Sequence, residues 1–114
     1  MAENSSDLGV SFEQFIIQEV RAYLSYSRIN KNVTYWRTRG YEVDLIIGQD
    51  VAIEIKFSRR FKTDYLDGLL ALKEEKLIKN FYVVGRFPSE GHSQGIEYLG
   101  YQAFLNKLWS GKII

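Results

Sequence analysis

The sequence predicts an α/β fold in which helices flank a central mixed sheet. Two runs, residues 42–47 (Glu-Val-Asp-Leu-Ile-Ile) and 52–56 (Ala-Ile-Glu-Ile-Lys), place apolar residues at alternate positions, the period of a strand. A short unbroken apolar run, Phe81-Tyr82-Val83-Val84, fits a buried strand. Segments near both ends of the chain instead repeat their apolar residues at helical spacing. With 114 residues and a hydrophobic content of 46%, the chain suffices for one small core. At that size about 60–70% of the unfolded surface is buried, which predicts modest stability.

Taken in order, residues 1–10 are small and polar and are expected to form a flexible segment, with 11–114 as a single domain. Ser11 and Gln14 suggest a capping box for a first helix that carries Phe12, Phe15, Ile16, Val20, Tyr23 and Leu24 and runs to about Ser27. Val33 to Arg37 predicts a strand. Thr38-Arg39-Gly40 turns it into the central hairpin, whose own turn is Gly48-Gln49-Asp50. Thr63 or Asp64 is expected to cap a second helix with Leu66, Leu69, Leu70, Leu72 and Leu77 on its apolar face. That helix is a crossover, so the strand at 80–85 is expected parallel to the strand before it. Phe87 to Gly95 holds the only proline and the only histidine and predicts a loop. Ile96 to Leu99 predicts a small edge strand, and Tyr101 to Trp109 a closing helix bearing Phe104, Leu105, Leu108 and Trp109.

The hairpin carries the chemistry. Pairing Ile47 with Val51 places Asp44 opposite Glu54 and Glu42 opposite Lys56. It leaves Val43, Leu45, Ile47, Ile53, Ile55 and Phe57 on one oily face. A shift of one residue would set Asp44 beside Ile53 and mix the faces. Opposed acids on a sheet are destabilising. A cation between them removes that cost, and Cβ atoms about 4.5–5.5 Å apart allow both carboxylates to reach one hard ion. The alternative is a half-buried hairpin with an ordinary solvated face.

Composition excludes several classes. There are no cysteines, hence no disulfide, thiolate zinc site or cysteine nucleophile. That agrees with a cytoplasmic location. No leader-like segment and no apolar run of about 18 residues is present, so neither secretion nor membrane insertion is expected. The net charge of +1 gives no global pull toward nucleic acid, so any such contact must be local. No phosphate-binding loop pattern occurs, so the chain itself should not hydrolyse nucleotides.

The order Glu13, then Asp44, then Glu54-x-Lys56 resembles the PD-(D/E)XK nuclease superfamily, built on an αβββαβ restriction-endonuclease-like core. Ser11-Phe12-Glu13, Tyr35-Trp36-Arg37, Gly40-Tyr41-Glu42-Val43-Asp44 and Ile53-Glu54-Ile55-Lys56-Phe57-Ser58 resemble one branch more closely. That branch is the nuclease-like domain found behind AAA-type ATPase modules in bacteria and archaea. The likeness spans Phe12 to Ser58. It implies that Asp44 and Glu54 are ligands of Mg2+ or Mn2+, that Ile55 donates a backbone carbonyl to the metal, and that Glu13 completes the acidic site directly or through water. It implies a catalytic Lys56 beside the scissile phosphate or attacking water. It implies DNA as substrate and an ATPase module as a partner. Val43 stands where the motif has proline, and the second helix carries no auxiliary glutamine or lysine motif. Glu13 equally suits a first-turn glutamate facing the helix dipole.

Lys56, Arg59, Arg60 and Lys62 put four basic residues within seven positions. With Ser58, and with Arg37 and Arg39 on the neighbouring strand and turn, they are candidates for holding a nucleic-acid backbone. A solvated loop balanced by Glu74 and Glu75 is the plainer reading. Tyr35, Trp36, Tyr41 and Tyr65 are candidates for base stacking, though most aromatics at this frequency fill the core. His92 reads as incidental. Two functions remain: a metal-dependent DNA endo- or exonuclease, or a non-catalytic module of the same fold that binds nucleic acid or an ATPase partner. A homodimer through exposed apolar surface is a third possibility.

Overall fold

The computed structural model describes residues 5–114. Helix α1 spans Ser5–Tyr26. It therefore starts well before the expected cap, and Ser11 and Gln14 lie inside it. Of the segment expected to be flexible, residues 1–4 fall outside the described residues, and the chain is helical from Ser5. Ile16, Val20, Tyr23 and Leu24 form the buried stripe of α1, at the spacing that keeps one helical face inward. The helix ends in a Schellman motif. Ile29 N–H bonds the Leu24 carbonyl at 2.9 Å and Arg28 N–H the Ser25 carbonyl at 3.2 Å, with Arg28 in the left-handed region at φ 56°.

Strands β1 (Val33–Thr38), β2 (Tyr41–Ile47) and β3 (Val51–Ile55) form an antiparallel meander. The β2–β3 register is the expected one: Ile47 faces Val51, Ile46 faces Ala52 and Leu45 faces Ile53. A 3-10 turn over Thr63–Leu66 leads into α2 (Asp67–Lys73), and neither has a side-chain cap. Leu77 lies beyond α2 and is 59% exposed, so it is no part of the helix face. The crossover delivers β4 (Asn80–Gly85) parallel to β3, as its length requires.

The expected loop at 87–95 contains a short strand, β5 (Gly91–Ser93). It pairs antiparallel with β6 (Ile96–Gly100), which runs parallel to β4. The sheet order is β1-β2-β3-β4-β6-β5, so β6 is interior and β5 takes the edge. Helix α3 covers Tyr101–Trp109, as the sequence predicts. The result is an α/β fold with a mixed six-stranded sheet and three α-helices among the described residues. None of these helices is long and apolar enough to cross a membrane.

Both faces of the sheet are oily, not one. Leu45, Ile47, Ile53, Ile55 and Val84 pack with α1 and α3. Ile46, Ala52, Val83 and Phe81 pack with Leu66, Leu69 and Leu72 of the α2 segment. All five residues of β3 are consequently buried, the pattern of a strand covered on both sides.

The strict alternation expected for β2 breaks at Asp44. Thr34 faces Ile46 but Trp36 faces Val43, so Tyr35 alone stands against Asp44 and Leu45. This β-bulge reverses the side-chain phase. Val43 therefore joins the α2 cluster with Ile46, and not the face of Leu45 and Ile47. Helix α2 presses on the same stretch: a Cβ on Gly68 would collide with the Glu42 carbonyl oxygen. A glycine there lets helix and strand backbones touch.

Candidate functional site

The bulge and the end of the β2–β3 ladder together build the site. The paired residues stop at Leu45 and Ile53. Beyond them the Asp44 carboxylate takes over as acceptor: Ile55 N–H donates to Asp44 Oδ2 at 2.8 Å. A side chain thus replaces a strand carbonyl at the carboxyl end of β3. Strand ends of this kind are where open α/β sheets bind ligands.

Glu54 reaches Asp44 from β3. It is the one buried charged residue among the described residues, at 6% exposure. Its Oε1 has no hydrogen-bond partner. Burial, reinforced by the neighbouring Asp44 carboxylate, pushes its carboxyl up to about 9. Lys56 Nζ lies 3.7 Å from the other oxygen, Oε2, and opposes that shift. Its ammonium is held 5.3 Å from the Tyr65 ring centroid, an attractive cation–π placement. Lys56 therefore flanks Glu54 without capping Oε1.

Glu13 projects from α1 into a cleft of about 250 Å3 that Asp44, Glu42, Tyr35 and Arg37 also line. Its carboxyl is raised by burial first, then by Asp44 and Glu42, with Lys56 opposing. Glu42 does not face Lys56 as the hairpin register predicts. The ladder ends before reaching it, and it pairs with Arg37 on β1 at 3.3 Å across an exposed surface. Such a pair contributes at most about 1 kcal/mol.

Among the described residues no three His, Cys, Asp or Glu side chains converge into a metal cage. The donor set present is Asp44, Glu54 and the adjacent Ile55 backbone. This set suits Mg2+, which binds through one or two carboxylates and keeps several waters. The orphaned Glu54 oxygen is the observation that fits: a buried carboxylate resisting ionisation lacks the positive partner a hard cation supplies. Glu13 stands within electrostatic reach of Asp44 and Lys56.

The basic candidates separate into two groups. Arg37 joins the cleft of Glu13 and Asp44, and Arg39 is exposed in the β1–β2 turn. Ser58 uses its hydroxyl locally, accepting Arg60 N–H at 3.1 Å and donating to the Arg60 carbonyl at 2.8 Å. That turn leaves Arg59, Arg60 and Lys62 exposed. Arg86, absent from the sequence reading, anchors the exit of β3. Its Nε donates to the Phe57 carbonyl, its guanidinium lies 3.6 Å from the Phe57 ring centroid, and its N–H bonds the Ser58 carbonyl at 3.0 Å. Its signal in the sequence was a basic residue one glycine beyond the apolar run of a parallel strand.

Residues 8–96 match the model of a domain of unknown function, DUF4143. No curated protein and no solved structure matches the chain. The matched span begins in α1 and ends at the first residue of β6, so it contains Glu13, Asp44, Glu54, Lys56 and every basic candidate. On the strength of that span the chain belongs to the DUF4143 family.

Proposed function

We propose that the protein is a divalent-metal-dependent deoxyribonuclease with a restriction-endonuclease-like core, hydrolysing phosphodiester bonds at Asp44, Glu54 and Lys56. The observation that carries the reading is Glu54, buried beside Asp44 with Oε1 unpartnered and Lys56 at its flank. Asp44, Glu54 and the Ile55 carbonyl would hold Mg2+ or Mn2+. A cation bound there supplies Lewis-acid stabilisation of the charge that builds on the phosphate oxygens. Lys56 adds fixed positive potential beside that charge, in surroundings drier than bulk water. Glu13, its carboxyl already raised, is placed across the cleft to hold or release a proton. Arg37, Arg39, Arg59, Arg60 and Lys62 neutralise backbone phosphates, and the Ser58 turn presents the last three.

The test is cleavage of plasmid and linear DNA with Mg2+ or Mn2+, alongside Asp44→Ala and Glu54→Ala. Cleavage that survives in either variant rules this site out. A second reading is favoured by the absence of a third ligating carboxylate among the described residues. In that reading the domain is a non-catalytic module that binds nucleic acid or an AAA-type ATPase. Calorimetric titration with Mn2+ separates the two: binding that Asp44→Ala abolishes supports the enzyme, and DNA binding without metal binding supports the module.

A further inference from the structure

Beyond Lys56 the aromatic residues form a chain that leads away from the acidic pair. The Tyr65 ring under the Lys56 ammonium meets Phe61 edge-on at 6.2 Å. Phe61 stacks on Tyr98 with centroids 3.9 Å apart and planes 9° from parallel. Phe87 meets both edge-on, at 5.9 and 6.1 Å. Phe61, Phe87 and Tyr98 line a cavity of about 490 Å3 together with Arg59, Arg60, Pro88 and Ser89. Phe87 is core, but Phe61 and Tyr98 keep part of their surface exposed. No acidic residue lines the cavity. Two glycines make room for the rings: a Cβ on Gly85 would strike Phe87, and one on Gly91 would strike Tyr98.

We infer that this cavity binds an unpaired nucleotide, its base on the Phe61–Tyr98 surface and its phosphates on Arg59 and Arg60. The occupant follows from complementarity. Partly exposed aromatic surface with adjacent guanidinium groups matches a base and its backbone, and any base satisfies it. A base inside a duplex cannot present its face, so the cavity selects single-stranded nucleic acid or a strand end. It rests on the nuclease reading of the neighbouring acidic pair and names the form of substrate that pair would meet.

The test uses the full chain in EDTA at low salt, which separates binding from cleavage. Fluorescence anisotropy compares a labelled dT oligomer with a matched duplex, and an oligomer carrying 2-aminopurine reports stacking by quenching. The expected result is preference for the single strand, with quenching. Arg59→Ala/Arg60→Ala and Phe61→Leu should each weaken it by roughly fivefold to a hundredfold, the range for losing one stacked base or its phosphate contacts. Equal or tighter duplex binding overturns the inference, and so does single-strand binding that the exposed arginine pair leaves unchanged. Loss of cleavage with single-strand binding intact would instead remove the nuclease reading and leave the cavity standing.

Discussion

Replacing Glu54 by glutamine should remove most of the pH dependence of this protein's stability. The ordinary value of the carboxyl is 4.5, and the fold raises it to about 9. Between those values the folded chain holds a proton that the unfolded chain has released. The stabilising contribution is therefore complete below the unfolded value and is lost as the pH rises through the folded one. Each pH unit inside the window costs about 1.4 kcal/mol. From about pH 6 to about pH 8 the wild-type chain loses about 3 kcal/mol, a large share of the 5–15 kcal/mol typical of a domain. Glu54→Gln keeps the volume and drops the titration. Glu13, whose carboxyl is also raised, acts with the same sign.

Urea melts in EDTA across that range measure the difference directly. The variant should gain about 3 kcal/mol on the wild type by the alkaline end, with an unchanged denaturant slope. Manganese supplies the opposite arm. At a hundred times its dissociation constant it should stabilise the wild type by about 2.7 kcal/mol and the variant far less, because the ion needs the charged carboxylate. Parallel pH curves for the two proteins would refute the reasoning about burial. Equal stabilisation by manganese would refute Glu54 as a ligand.

Two further substitutions test the frame around the site. Gly68→Ala would gain up to about 1 kcal/mol on an exposed helix, but here the new Cβ meets the Glu42 carbonyl. Urea denaturation should show a loss of about 1–3 kcal/mol, and a gain would mean that α2 does not bear on the bulge. Arg86→Met keeps apolar length and removes the charge-assisted bond to the Phe57 carbonyl. It should cost about 2 kcal/mol and speed amide exchange at Arg86, whose N–H bonds the Ser58 carbonyl, and unchanged exchange there would reject the anchoring role.

Much of the sheet was legible because its signals are local. Gly48-Gln49-Asp50 sets a three-residue turn, and alternation on either side fixes the register at Ile47 and Val51. The length between β3 and β4 forces a parallel return. The bulge was not legible: one extra residue in β2 changes no composition, only the phase of Val43. The early start of α1 was hidden too. Gly9 and the small residues around it favour no helix on their own, and packing near Phe57, 3.9 Å from a Cβ at Gly9, is a tertiary contact. Strand β5 is three residues of Gly-His-Ser, too short and too polar to signal a strand, and it exists because β6 offers it an edge. Asp44 and Glu54 were legible as a pair, yet not as they meet. The sequence suggests cross-strand opposition, whereas the ladder parts before them and Asp44 accepts Ile55 N–H.

That parting also weighs one function against the other. A module that docks a protein does so through side chains the partner can touch. Glu54 is 6% exposed, in a strand covered on both faces, so a protein surface has no access to it. An apolar residue of similar volume in that position would be neutral or stabilising, since a buried carboxylate without a full partner costs several kcal/mol. Its unpartnered oxygen is itself buried, so no partner protein's side chain supplies the missing contact. A water bound there would leave the raised carboxyl as it stands, whereas a cation would make the charged form the favourable one. Glu54 thus supports the metal-dependent reading proposed above, while partner binding would fall to the exposed arginines and aromatics outside it.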